Sequence, residues 1–302
     1  MDPIKKKFRA GFVALVGQPN AGKSTLLNML LEEKVSIVTE KPQTTRSRVT
    51  GILNVDGAQV VLVDAPGALK STTGINKFLQ DEVSDVIDKA DVVCALFASD
   101  ASLESVKDLV TIIRSAKRPW VALITKVDEL GGTRTPKFFK YLIDEQIPFV
   151  SITVMKRPEE AKQEFLNRVV PLLPESEAPL YEDDIYTTQT LRQMSAEFIR
   201  EAAFENLRQE IPYGLAVKVV EFKEDEPIIR IRAELVIEKD NHKGIVIGAK
   251  GANLKKIGSE ARKEIERLVG QQVFLDLHVQ VKKNWTQNPR LMKELGYVIA
   301  KD

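Results

Sequence analysis

The sequence predicts a doubly wound α/β domain followed by a small α+β domain, and three observations support this division. Within residues 1–172, apolar runs that predict strands alternate with amphipathic stretches that predict helices, a pattern typical of a mostly parallel sheet with helices on both faces. Residues 173–188 combine prolines with acidic side chains, which is typical of a linker. Over residues 189–302 the predicted order changes to helix, two strands, two helices and a strand, followed by a tail.

The first domain begins with a strand at 12–16, which leads through a glycine-rich turn into a helix at 23–31. A hairpin is predicted at 49–55 and 59–63, because the Asp-Gly pair between them is a strong two-residue turn signal. Further helices are predicted at 75–89, 102–116, 136–145 and 158–170, and further strands at 92–98, 120–124 and 148–152. Because such sheets bind ligands beyond the carboxyl ends of their strands, we expect the site at that edge.

The second domain has its own pattern of apolar residues. Ile229 and Ile231 alternate with Arg230 and Arg232, so the strand that contains them is expected to have one buried face and one wet face. The predicted elements are a helix at 190–210, strands at 216–222, 228–238 and 273–281, a helix–loop–helix at 243–269 and a short helix at 290–295.

The composition suits a protein with two apolar cores, since 43% of the 302 residues are hydrophobic and 29% are charged. The single cysteine, Cys94, excludes an intrachain disulfide and is consistent with a reducing compartment. The net charge is +1, so a surface for nucleic acid has to be a local patch. We find neither a signal-peptide pattern nor an apolar run of about 20 residues, and therefore expect a cytoplasmic protein.

The sequence GQPNAGKS at 17–24 lies between the first strand and the first helix and matches a P-loop. Its glycines let successive backbone N–H groups point at phosphate oxygens, and the helix N-terminus adds partial positive charge. The Lys23 ammonium is expected to reach the β- and γ-phosphates, and the Ser24 hydroxyl to ligate Mg²⁺. The predicted phosphate-binding residues are Gly17, Asn20, Ala21, Gly22, Lys23, Ser24 and Thr25.

Two further segments are expected to respond to the γ-phosphate. The sequence DAPG at 64–67 ends a strand, and it places Asp64 to hold Mg²⁺ through water and the Gly67 N–H to contact the γ-phosphate. The loop KPQTTR at 41–46 is expected to close a threonine onto Mg²⁺. Thr45 is the first choice and Thr44 the second, so that the predicted metal ligands are Ser24, Thr45 and Asp64.

The sequence TKVD at 125–128 is expected to select the base. Guanine presents two parallel donors that one carboxylate, Asp128, can accept together, whereas adenine has an acceptor at N1 and lacks the 2-amino group. Such a site discriminates strongly, because the wrong base leaves a buried charge unpaired. The Lys126 stem is expected to lie over the base, and the triplet at 151–153 to contact guanine O6 through its backbone. The predicted base-binding residues are Thr125, Lys126, Asp128, Ser151 and Ile152.

The residue after the DAPG sequence bears on the rate of hydrolysis. Ras-like enzymes orient the attacking water with a glutamine near this position, whereas this chain has Ala68 followed by Leu69. Neither side chain can orient water through a hydrogen bond. We therefore expect slow basal hydrolysis of GTP, with Lys23, Thr45 and Gly67 as catalytic residues.

The second domain contains a GxxG loop that resembles the loop by which KH domains clamp about four nucleotides. It comprises Gly248, Ala249, Lys250 and Gly251, and Lys255 and Lys256 follow one turn later, near the expected phosphates. Trp285 ends the last strand and either stacks on a base or belongs to the core or an interface.

These motifs resemble those of the Era family of bacterial GTPases over nearly the whole chain. The segments that carry the resemblance are GQPNAGKS, KPQTTR, DAPG, TKVD and HKGIVIGAKGANLKKIG at 242–258. The resemblance implies a GTPase domain followed by a type II KH domain, binding near the 3′ end of 16S ribosomal RNA and a role in assembly of the 30S subunit. It also implies peripheral contact with the cytoplasmic face of the membrane, and a role for Asn20 in catalysis by helping to hold K⁺ near the phosphates.

Two positions depart from the pattern of that family. Thr125 replaces the usual asparagine of NKxD, and its hydroxyl retains one hydrogen bond but not the amide pair, which is expected to lower affinity. Ile152 replaces the usual alanine, and is expected to crowd the edge of guanine.

Three functions are compatible with these residues. The first is a switch that binds GTP and GDP and whose nucleotide state controls the binding of RNA, with no DNA partner. The alternative is a GTPase subunit of an RNA-modification system. The sequence shows no additional catalytic domain, which argues against this alternative. A third is an RNA-binding module with an inactive nucleotide pocket, which the intact Lys23, Ser24 and Asp64 argue against.

Overall fold

The computed structural model describes residues 7–39, 41, 44–67, 74–130, 136–224 and 227–297. These residues form two compact units. The first contains the described residues within Met1–Ser36, Thr45–Leu69 and Leu79–Thr188, and the second those within Ile37–Thr44, Lys70–Phe78 and Gln189–Asp302.

The described residues of the first unit form a sheet of six strands in the order β2-β3-β1-β4-β5-β6. All neighbouring pairs are parallel except β2 and β3, which form the predicted antiparallel hairpin. The doubly wound fold class is therefore confirmed. The strands are β1 (Arg9–Gly17), β2 (Val49–Val55), β3 (Ala58–Asp64), β4 (Val92–Ala98), β5 (Trp120–Thr125) and β6 (Phe149–Ser151).

Helices cover this sheet because each has one apolar face. In α3, Val106, Leu109, Val110 and Ile113 are spaced by three or four residues and are all buried against the sheet core. The helices are α1 (Lys23–Leu31), α2 (Gly74–Lys89, of which residues 79–89 belong to this unit), α3 (Leu103–Ser115), α4 (Phe139–Asp144) and α5 (Pro158–Val169). The strand order reverses beside β1, so the turn after β1 lies at the switch point where such sheets bind ligands.

Residues 173–188, predicted as a linker, pack along β2 and β3 as part of the first unit. The side chain of Gln59 is buried, and its Oε1 accepts hydrogen bonds from the N–H groups of Leu180 and Tyr181 at 2.7 and 2.9 Å. The N–H group of Ile52 in β2 donates to the carbonyl oxygen of Tyr186 at 2.8 Å. The acidic, proline-containing composition therefore belongs to a segment held by hydrogen bonds.

The described residues of the second unit include a sheet of three strands in the order β7-β8-β9. Strands β7 (Ala216–Lys223) and β8 (Ile229–Ile237) are antiparallel, and β8 and β9 (Val273–Val281) are parallel. The helices are α6 (Leu191–Asn206), α7 (Asp240–Ile247), α8 (Ala252–Val269) and α9 (Pro289–Glu294). This is the predicted α+β order of elements.

Helix α6 begins and ends at positions that local chemistry explains. Thr190 accepts a hydrogen bond from the N–H of Gln193, and the Gln193 side chain accepts one from the N–H of Thr190, which is a capping box. The helix ends at Asn206 because Leu207 is extended, with φ −98° and ψ 154°. The predicted helix, which continued to residue 210, is therefore too long at its C-terminal end.

Candidate functional site

Three oxygen-bearing side chains predicted as metal ligands meet beyond the ends of β1 and β3. The Ser24 hydroxyl donates to Asp64 Oδ2 at 2.6 Å and lies 2.9 Å from Thr45 Oγ1. Ser36, which no sequence motif singled out, donates to the same Asp64 oxygen at 3.0 Å. Asp64 Oδ1 is buried with no hydrogen-bond partner among the described residues. Hard oxygen ligands with one unused carboxylate oxygen fit Mg²⁺.

Burial makes the charges of this site costly until ligands arrive. Lys23 is buried, and its Nζ donates to the carbonyl oxygens of Gly17 and Gln18 at 3.3 and 3.2 Å. Burial lowers the pKa of Lys23, although the charge of Asp64 opposes that shift. Burial likewise raises the pKa of Asp64, opposed by Lys23 and by hydrogen bonds from Ser24 and Ser36. An anion beside Lys23 and a cation beside Asp64 would favour the charged form of each group.

The choice between the two threonines of the 41–46 loop follows from their contacts. Thr45 Oγ1 lies 2.9 Å from Ser24 Oγ, within hydrogen-bond distance. Thr44 Oγ1 instead donates to the carbonyl oxygen of Lys41 at 2.7 Å and lies 2.6 Å from Thr39 Oγ1. Thr45 is therefore the threonine at the candidate metal site. Pro42 and Gln43 of this loop, and Ala68 and Leu69 after the DAPG sequence, lie outside the described residues.

The P-loop backbone and Gly67 approach each other closely. A Cβ atom at Gly67 would lie 2.9 Å from the backbone N and Cα atoms of Pro19. Asn20 and Gly22 have positive φ angles of 62° and 88°, and α1 starts directly afterwards at Lys23. The N–H groups in the first turn of α1 therefore follow directly on the loop that Gly67 approaches, and they are suited to an anion.

The predicted base-binding loop is fixed to the P-loop by Thr125. Its buried hydroxyl donates to the carbonyl oxygen of Ala21 at 2.8 Å. Ser99 Oγ donates to the carbonyl oxygen of Lys126, also at 2.8 Å, and this holds the turn that presents Asp128. Lys156 Nζ forms an ion pair with Asp128 Oδ2 at 3.3 Å. Thr125 thus joins two parts of the site.

The structure corrects the expectation for Ile152. Its N–H donates to the carbonyl oxygen of Ile124 at 2.8 Å, and its side chain is 2% exposed. The backbone N–H is therefore used within the sheet, and the side chain packs in the core instead of crowding a base. Ser151 is exposed in the last position of β6. Thr153 and Val154 are the first residues beyond this pairing.

The GxxG loop joins α7 and α8 in the second unit. Gly248 has φ +74°, and a Cβ there would lie 2.8 Å from the backbone N of Asn253, so the loop requires glycine at this position. Lys255 lines a groove beside the loop, whereas Lys256 lies 3.8 Å from Glu260. The groove is lined by Gly251, Leu254, Lys255, Gly258, Ser259, Arg262, Leu275 and Leu277.

Trp285 belongs to the core, which is the second of its two predicted roles. Its ring is fully buried, its Nε1 donates to the carbonyl oxygen of Gly214 at 2.9 Å, and it stacks on Tyr297 with ring centroids 5.4 Å apart. A ring held in this way does not present a face to a base. The expectation that Trp285 contacts RNA is therefore wrong for this structure.

Comparisons with known proteins agree with both halves of the chain. Residues 12–126 match the family model described as 50S ribosome-binding GTPase, and residues 210–286 match the model of the KH domain. The fold and the site thus define a P-loop GTPase that carries a KH domain.

Relatives of this class match nearly the whole chain. It is 41% identical to GTPase Era of Geobacter metallireducens, covering 96% of this chain and 98% of the relative, and 40% identical to GTPase Era of Clostridium perfringens over 96% and 98%. The chain belongs to the GTPase Era family, and it is a GTPase.

Two solved Era structures are also similar. A point variant of Aquifex aeolicus Era bound to GDP·AlF4⁻ is 32% identical, with a TM-score of 0.88 over 97% of this chain and 100% of that one. Era in complex with MgGDPNP and nucleotides 1506–1542 of 16S ribosomal RNA is 33% identical, with a TM-score of 0.87 over the same shares. Among the described residues, no helix is both long and apolar enough to span a membrane.

Proposed function

We propose that this GTPase binds 16S ribosomal RNA near its 3′ end through the KH domain and acts in assembly of the 30S subunit. The observation that carries the proposal is the similarity, over 97% of the chain, to Era in complex with MgGDPNP and nucleotides 1506–1542 of 16S ribosomal RNA. The glycine loop at 248–251 and Lys255 beside its groove supply the local chemistry, because glycine admits a sugar–phosphate backbone and lysine neutralises phosphate.

In the nucleotide site, we assign Lys23 to the phosphates, Ser24, Thr45 and Asp64 to Mg²⁺, and Gly67 to the γ-phosphate. The unpartnered Asp64 Oδ1 and the oxygens of Ser24 and Thr45 support the metal assignment. Asp128 reads the guanine edge, and Lys126 lies against the face of the base. Mg²⁺ at these ligands neutralises phosphate charge that develops during hydrolysis.

For the contact to guanine O6, we propose the backbone around Thr153 and Val154 in place of Ser151 and Ile152. The support is the hydrogen bond between the Ile152 N–H and the Ile124 carbonyl oxygen, which uses the amide assigned from the sequence. The next residues along the chain lie beyond the end of β6 and follow the same edge of the sheet as Thr125 and Asp128.

We also propose that Asn20 helps to hold K⁺ beside the β- and γ-phosphates. Asn20 lies in the P-loop with a positive φ of 62°, immediately before the Ala21 carbonyl that Thr125 fixes. A cation there would add positive charge beside the phosphates in a chain whose Ala68 cannot orient the attacking water. We also propose a cytoplasmic location, which the single cysteine supports, and a peripheral contact with the membrane, which the family resemblance supports.

Crosslinking in cells, followed by sequencing of the bound RNA, tests the proposed RNA partner. We expect reads concentrated near the 3′ end of 16S ribosomal RNA. The matched variants are Lys23→Ala, which is expected to abolish nucleotide binding, and Gly248→Asp, which is expected to abolish crosslinking and leave GTP turnover intact. Reads dominated by transfer RNA would instead favour the GTPase subunit of an RNA-modification system, and reads without any RNA preference would contradict both functions.

A further inference from the structure

Arg48 forms a bidentate ion pair with helix α2 inside the first unit. Its Nε donates to Glu82 Oε2 at 2.9 Å, and its Nη2 donates to Glu82 Oε1 at 3.1 Å. The same Nη2 donates to Asp85 Oδ2 at 2.7 Å, one turn further along α2. Lys89 completes the group through an ion pair with Asp85 at 3.2 Å. This planar, two-pronged geometry fixes orientation as well as distance.

The group is too buried to be an ordinary surface ion pair. The exposed fractions of the side chains are 5% for Glu82, 21% for Asp85 and 35% for Arg48. The carboxylates of Glu82 and Asp85 raise the pKa of Arg48, and Arg48 and Lys89 lower the pKa of Asp85 against the effect of burial. Buried ion pairs contribute little net stability compared with apolar residues, but the loss of one partner leaves an uncompensated charge. We therefore expect such a pair to fix the relative position of the two segments that it joins, and to add little to the free energy of unfolding.

The pair joins the segment that contains Thr45 to the helix that follows the DAPG sequence along the chain. Thr45, at the Ser24 hydroxyl, precedes Arg48 by three residues, and β2 starts directly after Arg48. On the other side, Asp64 is the last residue of β3, which precedes α2 along the chain, and Gly67 follows Asp64 by three residues. Closure of each segment on the γ-phosphate is the conformational change that GTPases use as a switch.

We propose that Arg48 is a positioning residue that couples the segment containing Thr45 to helix α2, so that both segments close on the γ-phosphate together. Without the pair, each segment has to be ordered separately when GTP binds. Binding of GDP, which lacks the γ-phosphate, does not require that closure. The pair therefore changes the difference in affinity between GTP and GDP, and it does not change the affinity for both nucleotides alike.

The test measures dissociation constants of the full-length protein for GDP and for GDPNP, both with Mg²⁺. The variants are Arg48→Gln, Glu82→Gln and the double variant, with Arg48→Lys to keep the charge but remove the bidentate geometry. We expect each single variant to weaken GDPNP binding about tenfold and GDP binding less than about twofold, within the coupling found for residues in contact. The double variant should be no worse than the worse single variant, because both remove the same coupling.

The matched control is the exposed pair of Arg114 and Glu145, whose Nη1 and Oε2 atoms are 2.7 Å apart in the same unit. Arg114→Gln and Glu145→Gln are expected to change neither dissociation constant. A single variant could lose affinity because it fails to fold, and the double variant Arg48→Glu with Glu82→Arg is the control for this. It restores a pair of opposite charges and should recover part of the preference for GDPNP over GDP. Equal weakening of both nucleotides, additive effects in the double variant, or no change would each overturn the proposal.

Discussion

Thr125 donates its hydroxyl hydrogen to the carbonyl oxygen of Ala21 at 2.8 Å, and this single bond joins strand β5 to the P-loop. The asparagine that is usual at this position in the family offers an amide in place of a hydroxyl. The bond of Thr125 thus explains how the phosphate-binding and base-binding segments keep their spacing with a smaller side chain.

Thr125→Val should weaken nucleotide binding, because valine keeps the shape and removes the donor. A buried carbonyl without its partner costs about 1–3 kcal/mol, so we expect the affinities for GDP and GTP to fall together, by roughly tenfold. Titration with a fluorescent guanine nucleotide measures this. Thr125→Ser, which keeps the hydroxyl, is the control, and it should remain close to the original protein. An unchanged affinity in Thr125→Val would contradict the joining role.

Asp128→Ala should abolish the preference for guanine. The carboxylate accepts both donors of the guanine edge, so its loss is expected to weaken GTP binding by roughly a hundredfold or more. Competition of unlabelled GTP and ATP against a labelled guanine nucleotide measures the preference in both proteins. Asp144→Ala removes an exposed carboxylate of the same unit and is the control. If ATP competes with GTP equally well in the unaltered protein, the assignment of Asp128 fails.

Potassium should accelerate hydrolysis if Asn20 helps to hold it. Release of phosphate is measured in K⁺ and in Na⁺ at the same ionic strength, and we expect a higher rate in K⁺. Asn20→Ala should remove the difference between the two salts while the slow rate in Na⁺ stays. Equal rates in both salts for the unaltered protein would remove Asn20 from the catalytic residues.

Glu294 should make the stability of the second unit depend on pH in the acidic range. Hydrogen bonds from Lys282 at 2.6 Å and Lys218 at 2.9 Å lower the pKa of Glu294 from 4.5 to about 2. Because the folded pKa is the lower one, the stabilisation is fully present above about pH 4.5 and is lost as the pH falls towards 2.

Thermal unfolding at a series of pH values tests this expectation. Glu294→Gln should lower the unfolding temperature slightly at neutral pH and make it less sensitive to acid between pH 4.5 and 2, compared with the unaltered protein. The control is Glu164→Gln, a change of an exposed carboxylate in α5. Parallel curves for Glu294→Gln and the unaltered protein would show that Glu294 does not contribute.

The parts of the site that the sequence predicted are those in which contiguous residues make the geometry. The P-loop at 17–24 needs only a strand, a turn and a helix in succession. Thr45 and Asp64 lie far from Ser24 along the chain, but each belongs to a short motif of its own, and both side chains contact Ser24. The GxxG loop is local in the same sense.

The parts that the sequence did not predict depend on partners far along the chain. Whether the N–H of Ile152 is available is decided by the register of β6 on β5, which places Ser151 opposite Ile124. The burial of Trp285 depends on a carbonyl group at Gly214. Ser36 reaches Asp64 from a loop with no recognisable pattern. Periodicity and short motifs carry no information about such pairings.

The hydrogen bonds that hold 180–187 against β2 and β3 determine where the GTPase domain can be cut. Strand β2 is one of the two edge strands of the sheet formed by the described residues. Part of its edge is covered by Tyr186 and Thr187, which form hydrogen bonds with Ile52 and Thr50. A fragment that stops at residue 172 would expose that edge and leave Gln59 without its hydrogen bonds to Leu180 and Tyr181, and an exposed edge favours aggregation through strand pairing. A fragment that continues to residue 188 keeps the edge of β2 covered. The additional residues 173–188 therefore protect the GTPase domain against self-association through this edge.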